Sequence, residues 1–209
     1  MNVVLYGATG MIGSRVLTEL LSRGHHVTAV ARNPSKVSQQ SGVTAVQGDA
    51  LDAKDVAAKV AGADVVVSSY APPQDGPGKL LDAVRVLISG VKEGGAKRLL
   101  VVGGAGSLLV APGVDLIDSG HLPPEYRDIA IAHRDALALL KASDIDWTYF
   151  SPAAFIQPGE RTGKFRLGGD SLLLDGEAPG RISAEDYAVA LVDELEQPKH
   201  SRQRFTIAY

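Results

Sequence analysis

The sequence predicts an α/β fold built on a doubly wound, mainly parallel sheet. Three observations carry this reading. Short runs rich in Val, Ile and Leu alternate with amphipathic stretches along the chain. The runs are apolar throughout, as strands covered on both faces require. A glycine-rich turn follows the first run and opens a helix, the opening of a strand–turn–helix unit.

The elements follow in order. Val3–Tyr6 is the first strand, and Gly7-Ala8-Thr9-Gly10-Met11-Ile12-Gly13 leads from it into a helix with the apolar face Ile12, Val16 and Leu20. Val27–Ala31, Thr44–Gln47 and Asp64–Ser68 are the next strands. Between the last two, Asp52 with Asp55 forms a capping pair ahead of Val56 and Val60. Leu80, Val84, Leu87, Ile88 and Val91 recur at helical spacing until Gly94-Gly95 closes that helix. Leu99–Val102 and Trp147–Phe150 are strands separated by a helix from about Ile129 to Lys141, on which His133 shares a face with Ile129, Ala136, Leu137 and Leu140. Ser183 with Asp186 caps a last helix carrying Tyr187, Leu191 and Leu195, and Arg204–Ala208 is the final strand.

Two connections exceed the usual 2–6 residues between strand and helix. They run over 103–128 and 151–181, the second with one short strand expected at Ser171–Leu174. Both leave the carboxyl ends of strands, where open α/β sheets bind ligands, so they are expected to form a small substrate-side lobe. The whole chain, 1–209, reads as one domain.

Composition narrows the chemistry. Cysteine is absent, which excludes disulfides, iron–sulfur clusters, thiolate zinc sites and cysteine nucleophiles, and fits a reducing cytoplasm. A formal charge of −3 gives no global electrostatic case for nucleic acid or an anionic membrane. The longest uncharged stretch, Leu99 to Val114, is broken by glycines and a proline and falls short of a membrane span, and the first residues resemble no secretion signal. No histidines have zinc-ligand spacing backed by an acidic third ligand, so no metal is expected. What remains is ordinary side chains plus a bound cofactor.

The glycine turn points to that cofactor. Glycine is needed where the chain turns sharply, where backbone approaches a diphosphate, and where helix packs on strand. The helix start then offers unpaired N–H groups to the anion. Gly7, Thr9, Gly10, Met11, Ile12 and Gly13 are the expected diphosphate contacts. The second strand ends in Val30-Ala31-Arg32-Asn33, with no acidic residue for a free ribose 2′-hydroxyl. Arg32 suits a 2′-phosphate instead, with Ser35 and Lys36 in support, so NADP(H) is favoured over NAD(H). A solvated surface arginine is the plain alternative.

The two-residue first interval, GxxGxxG with Ala8-Thr9, resembles the extended and atypical short-chain dehydrogenase/reductase families. Arg32, Gly48-Asp49, Leu140-Lys141-Ala142-Ser143 and Arg181-Ile182-Ser183-Ala184-Glu185-Asp186 carry the likeness across nearly the whole chain. Within that group, Gly103-Gly104-Ala105-Gly106-Ser107-Leu108 and Pro158-Gly159-Glu160-Arg161-Thr162-Gly163 are similar to NADH-flavin reductase-like and biliverdin-IXβ reductase-like proteins. The resemblance implies a Rossmann-type fold with Asp49 and Ala50 at the adenine edge. It also places Ser68, Tyr70 and Gly103 towards the nicotinamide end. Asp49 could equally be a turn residue.

Carbonyl-reducing short-chain enzymes use a tyrosine, a lysine four residues on, and a serine or threonine after the fifth strand; the lysine lowers the phenol pKa for proton donation. Counting back from Leu140–Thr148 puts Ile129 and His133 at the tyrosine and lysine positions, and Gly103-Gly104-Ala105 where the hydroxyl belongs. Tyr126 is a nearby phenol, with Ala130 four residues beyond it. The missing acid disfavours an epimerase, dehydratase or alcohol dehydrogenase. It is neutral towards a flavin or quinone, which takes a hydride into a delocalised anion that solvent protonates. Tyr126 and His133 are the candidate catalytic groups, with Ser107 and Phe155 on the substrate. His133 has two readings, a half-buried histidine bonded to a carbonyl or a donor at the site mouth. The biliverdin-IXβ reductase-like resemblance implies a histidine in the substrate pocket there.

The expected function is NAD(P)H-dependent reduction of a free flavin of the FMN type or a quinone, with flavin as substrate rather than tightly held. The expected state is a cytoplasmic monomer or weak homodimer without nucleic-acid or membrane partners. A non-catalytic NADP(H)-binding redox sensor is the rival reading.

Overall fold

The computed structural model describes residues 1–73 and 76–209. In chain order the first half gives β1 (Asn2–Tyr6), α1 (Met11–Ser22), β2 (His26–Ala31), β3 (Val43–Gln47), α2 (Ala53–Val60), β4 (Val65–Ser68), α3 (Lys79–Gly94) and β5 (Leu99–Val102). A first excursion holds β6 (Leu109–Ala111) and β7 (Val114–Asp115) before α4 (Arg127–Ala142) and β8 (Trp147–Ser151). A second holds β9 (Phe155–Gln157), β10 (Arg166–Gly168), β11 (Leu174–Asp175), β12 (Ala178–Pro179) and β13 (Arg181–Ser183), and the chain finishes with α5 (Ala184–Glu196) and β14 (Gln203–Ala208).

The strands lie in the order β10-β14-β8-β5-β4-β1-β2-β3. All neighbours are parallel except β10, which runs antiparallel along β14 with Leu167 opposite Ile207. Alternating residues of each strand serve opposite faces. On β1, Val3 and Leu5 pack towards α1 and α5, while Val4 and Tyr6 pack towards α2, α3 and α4. The continuous runs of the sequence are therefore strands buried twice over. Each fully buried Leu or Val contributes about 1.5–3 kcal/mol.

The caps fall where the spacing puts them. Asp52 accepts from Lys54 N and Asp55 N, and Ser183 from Asp186 N. Gly95, at φ 74°, ends α3. One expectation fails. Ser171–Leu174 is not a strand: Ser171 makes a single bridge to Leu109, and only Leu174 enters a strand, paired with Pro179. That bridge joins the two excursions into one small lobe, sealed by Leu108 and Ile117.

Pro158–Gly163 forms a strap across α1 and α5. Gly159 N donates to Glu185 at 2.7 Å, and Gly163 N to Asp186 at 2.7 Å. The Arg161 guanidinium grips the buried Glu19 through two 2.8 Å bonds. That bidentate pair fixes the strap to the helix whose amino end opens the glycine turn.

Candidate functional site

The turn after β1 is built so that no side chain can intrude. Gly7 has φ +83°, and a Cβ there would fall 2.2 Å from the Ser69 carbonyl oxygen. A Cβ at Gly13 would fall 2.0 Å from the Gly7 carbonyl oxygen, so α1 starts flush against the turn. Gly10 is the N-cap, with no side-chain cap and no acidic residue in the first turn. The first N–H groups of α1 are therefore left for an anion, at the positive end of the helix dipole.

Beside this turn lies a cleft of about 450 Å³ lined by Gly7, Thr9, Gly10, Arg32, Lys36, Asp49, Ala50, Ser69 and Tyr70, with Tyr6 and Val30 at its floor. Arg32 and Lys36 are exposed at the carboxyl end of β2 and enter no ion pair among the described residues. Asp49 makes a turn, accepting from Leu51 N at 3.0 Å, while its own N donates to Asp55 at 3.1 Å. Burial, helped by the nearby Asp49 charge, raises the Tyr70 phenol pKa. The Tyr6 hydroxyl is buried without a partner among the described residues, and burial raises its pKa. Of the other expected contacts, Met11 is exposed at the start of α1, and Ile12 and Gly13 follow it. Ser68 is buried, taking Tyr70 N at 3.4 Å, and Ser69 faces the cleft in its place.

The remaining candidates lie around the ends of β5 and β8. Gly103 packs on the Tyr149 ring, where a Cβ would stand 2.3 Å from Cε1, and Gly104 packs on the His133 imidazole. Two side chains fill the space of the expected hydroxyl residue. His133 is half-buried, with Nδ1 3.1 Å from the Tyr149 hydroxyl, so its partner is a phenol and not the expected carbonyl. Burial holds its pKa down to about 4, leaving a neutral ring at pH 7. Tyr149 is a phenol that the sequence does not single out: it reads as one more core residue of a strand. The pointer to it was the Gly103-Gly104 pair that follows the neighbouring strand β5.

Tyr149 does not replace the absent acid. It is sealed from solvent and saturated with hydrogen bonds, and burial raises its pKa. Tyr126 caps α4 with its ring 57% exposed, and Phe155 is 62% exposed; both stand open to solvent rather than in the cleft. Ser107 is occupied otherwise, since Arg204 binds both its hydroxyl and its carbonyl at 2.9 Å. Among the described residues no group of three acidic or histidine side chains could hold a metal, and no helix is long and apolar enough to cross a membrane.

The NAD(P)H-binding family matches residues 7–198. Three solved structures share the fold over the full chain. A Burkholderia pseudomallei protein, provisionally described as exported, is 48% identical with a TM-score of 0.92, each chain covered to 100%. A Bacteroides thetaiotaomicron protein, provisionally described as an epimerase, is 43% identical with a TM-score of 0.93, covering 100% of this chain and 96% of that one. A Streptococcus pneumoniae protein, provisionally described as an NADH-flavin reductase, is 29% identical with a TM-score of 0.89, covering 100% and 99%. The free helix start, the close-packed glycine turn and the adjoining cleft fit the diphosphate and adenosine of a nicotinamide dinucleotide. The chain belongs to the NAD(P)H-binding family of Rossmann-fold oxidoreductases.

Proposed function

We propose that the protein is an NADPH-dependent reductase of a free flavin of the FMN type or a quinone. The observation that carries the reading is the pairing of an open dinucleotide cleft with an acceptor side that has no proton donor of the carbonyl-reducing kind. Ile129 and His133 stand on α4 where tyrosine and lysine would be needed. That absence argues against epimerase or alcohol dehydrogenase chemistry, despite the description of the Bacteroides relative.

Gly7, Gly10 and the first turn of α1 hold the diphosphate. Arg32, with Lys36, takes the 2′-phosphate, Asp49 and Ala50 line the adenosine side, and Ser69 and Tyr70 line the cleft towards the nicotinamide ribose. Ser68 and Gly103 support the nicotinamide end from within. When bound, the reduced nicotinamide supplies a hydride, and the acceptor adds one proton from water to complete a two-electron reduction. The chain orients the two rings, with Tyr126, His133 and Phe155 at the acceptor and Ser107 anchoring the lobe beside it.

The whole chain acts as one unit, a monomer or weak homodimer in the cytoplasm. The lack of cysteine supports that location, and cell fractionation tests it against the exported description of the Burkholderia relative. The activity is tested by mixing purified protein with NADPH and FMN, or with a quinone, and following reduced-nicotinamide absorbance. Turnover well above the protein-free rate is expected. Tight NADPH binding without turnover of any flavin or quinone would favour a redox sensor.

A further inference from the structure

Counting protons around the Tyr149 phenol fixes the state of its neighbour. The phenol oxygen meets the Gly104 N–H at 3.1 Å, His133 Nδ1 at 3.1 Å and the His133 carbonyl oxygen at 2.9 Å. The phenol owns one proton. Given to Nδ1, that proton would leave phenol and carbonyl oxygens 2.9 Å apart with none between them. Given to the carbonyl, it leaves the Nδ1 contact to be made by a hydrogen on the imidazole. Only this second arrangement satisfies all three contacts. A neutral imidazole has one N–H, so Nε2 then carries a bare lone pair.

That nitrogen is available. Nε2 makes no hydrogen bond to the described residues, and the His133 side chain is only half-buried. Gly104 covers the imidazole from the Cγ side, which fixes the ring against the β5 turn. Tyr149 itself is held on β8, an interior strand paired on both sides with β5 and β14, so the sheet fixes where its phenol stands beside the ring.

We propose that Tyr149 is a positioning residue that locks His133 in its Nδ1–H form, so that Nε2 accepts a hydrogen bond from the acceptor molecule and selects rings that carry a donor. An isoalloxazine qualifies through its imide N–H. An oxidised quinone offers only carbonyl oxygens, which face the lone pair unfavourably. The role of His133 is thereby acceptor, the reverse of the donor expected from the sequence, and flavin is favoured over quinone. The ligand half of this proposal rests on the reading that a flavin stacks beside His133; the tautomer half does not.

The test is two-bond ¹H–¹⁵N NMR on histidine-labelled protein at pH 7 without ligand, His133 being assigned by its loss in His133→Gln. A protonated Nδ1 with a bare Nε2 is expected in the wild type, and Tyr149→Phe should shift the ring towards Nε2–H. An Nε2–H ring in the wild type overturns the lock, and that spectrum decides even if the variant fails to fold. An unchanged tautomer in a folded Tyr149→Phe protein overturns the role of the phenol. FMN and its N3-methyl derivative are then titrated by flavin fluorescence. Methylation should weaken binding roughly 10- to 100-fold in the wild type and much less in His133→Phe. Equal binding of the two overturns the selection. Failure of FMN to bind at all removes the flavin reading and the selection with it, while the unliganded spectrum still decides the tautomer.

Discussion

Arg32→Ala is the sharpest probe of cofactor choice. The guanidinium is exposed, stands at the carboxyl end of β2 beside the cleft, and has no ion-pair partner among the described residues to lose. Its removal should leave the folded state untouched, and a melting temperature within about 1 °C of wild type checks this. A charged hydrogen bond contributes about 1.5–3 kcal/mol net, and solvent exposure puts this site at the lower end. About 1.5–2 kcal/mol converts to a roughly 10- to 30-fold rise in the NADPH dissociation constant. Lys36, on the same rim, limits the loss, so Arg32→Ala with Lys36→Ala should exceed either alone. NADH carries no 2′-phosphate and should change by less than about threefold. Fluorescence titration of both nucleotides at low salt gives the numbers, and the wild-type preference should shrink as salt screens the pair. Equal losses for the two nucleotides, or no loss for NADPH, would refute the 2′-phosphate assignment.

Three further outcomes follow from the geometry. Gly13→Ala places a methyl against the Gly7 carbonyl and should cost about 1–3 kcal/mol, a melting-temperature drop of roughly 2–12 °C by calorimetry, with nucleotide affinity falling alongside. Arg161→Ala strips two hydrogen bonds from buried Glu19 and should cost about 1–2 kcal/mol at pH 7. Hydrogen bonding from Arg161, with Arg23 assisting against desolvation, lowers the Glu19 pKa below its usual 4.5, so this stabilisation is complete above that pH and is lost on further acidification. The gap in melting temperature between wild type and Arg161→Ala should accordingly close in acid; a gap that widens below pH 4.5 contradicts the pairing. Phe155→Ala removes an exposed ring, and steady-state kinetics should show KM for FMN raised about 2- to 12-fold with NADPH affinity unchanged.

Much of the fold was legible because burial on both faces writes a strand as an unbroken apolar run. Val3–Tyr6 and Leu99–Val102 could hardly be read otherwise. β10 escaped because Arg166-Leu167-Gly168 is a three-residue edge strand with one apolar side chain, exposed on its outer side. Ser171–Leu174 misled for the opposite reason: Leu172 is buried in the lobe outside any ladder, and only the exposed Leu174 pairs with a neighbouring strand. In the candidate site, the glycine turn announced itself by spacing, since backbone clearance leaves only glycine as a solution. That Arg32 lines the cleft was legible from its place at a strand end. Tyr149 was not, because a phenol facing a turn one strand away has no local pattern, and only the Gly103-Gly104 pair registers the room it takes. The Ser107–Arg204 hydrogen bond was not legible either, because a hydroxyl near a site gives no hint of a partner 97 residues later.

The double glycine after β5 has a consequence for re-engineering. A hydroxyl side chain at 103 and the Tyr149 ring would occupy one volume, so the two ways of furnishing this corner exclude each other. Grafting the serine first would crowd the Tyr149 ring before any ketone could be reduced. Conversion towards alcohol chemistry would have to evacuate the ring first and accept the cavity it leaves.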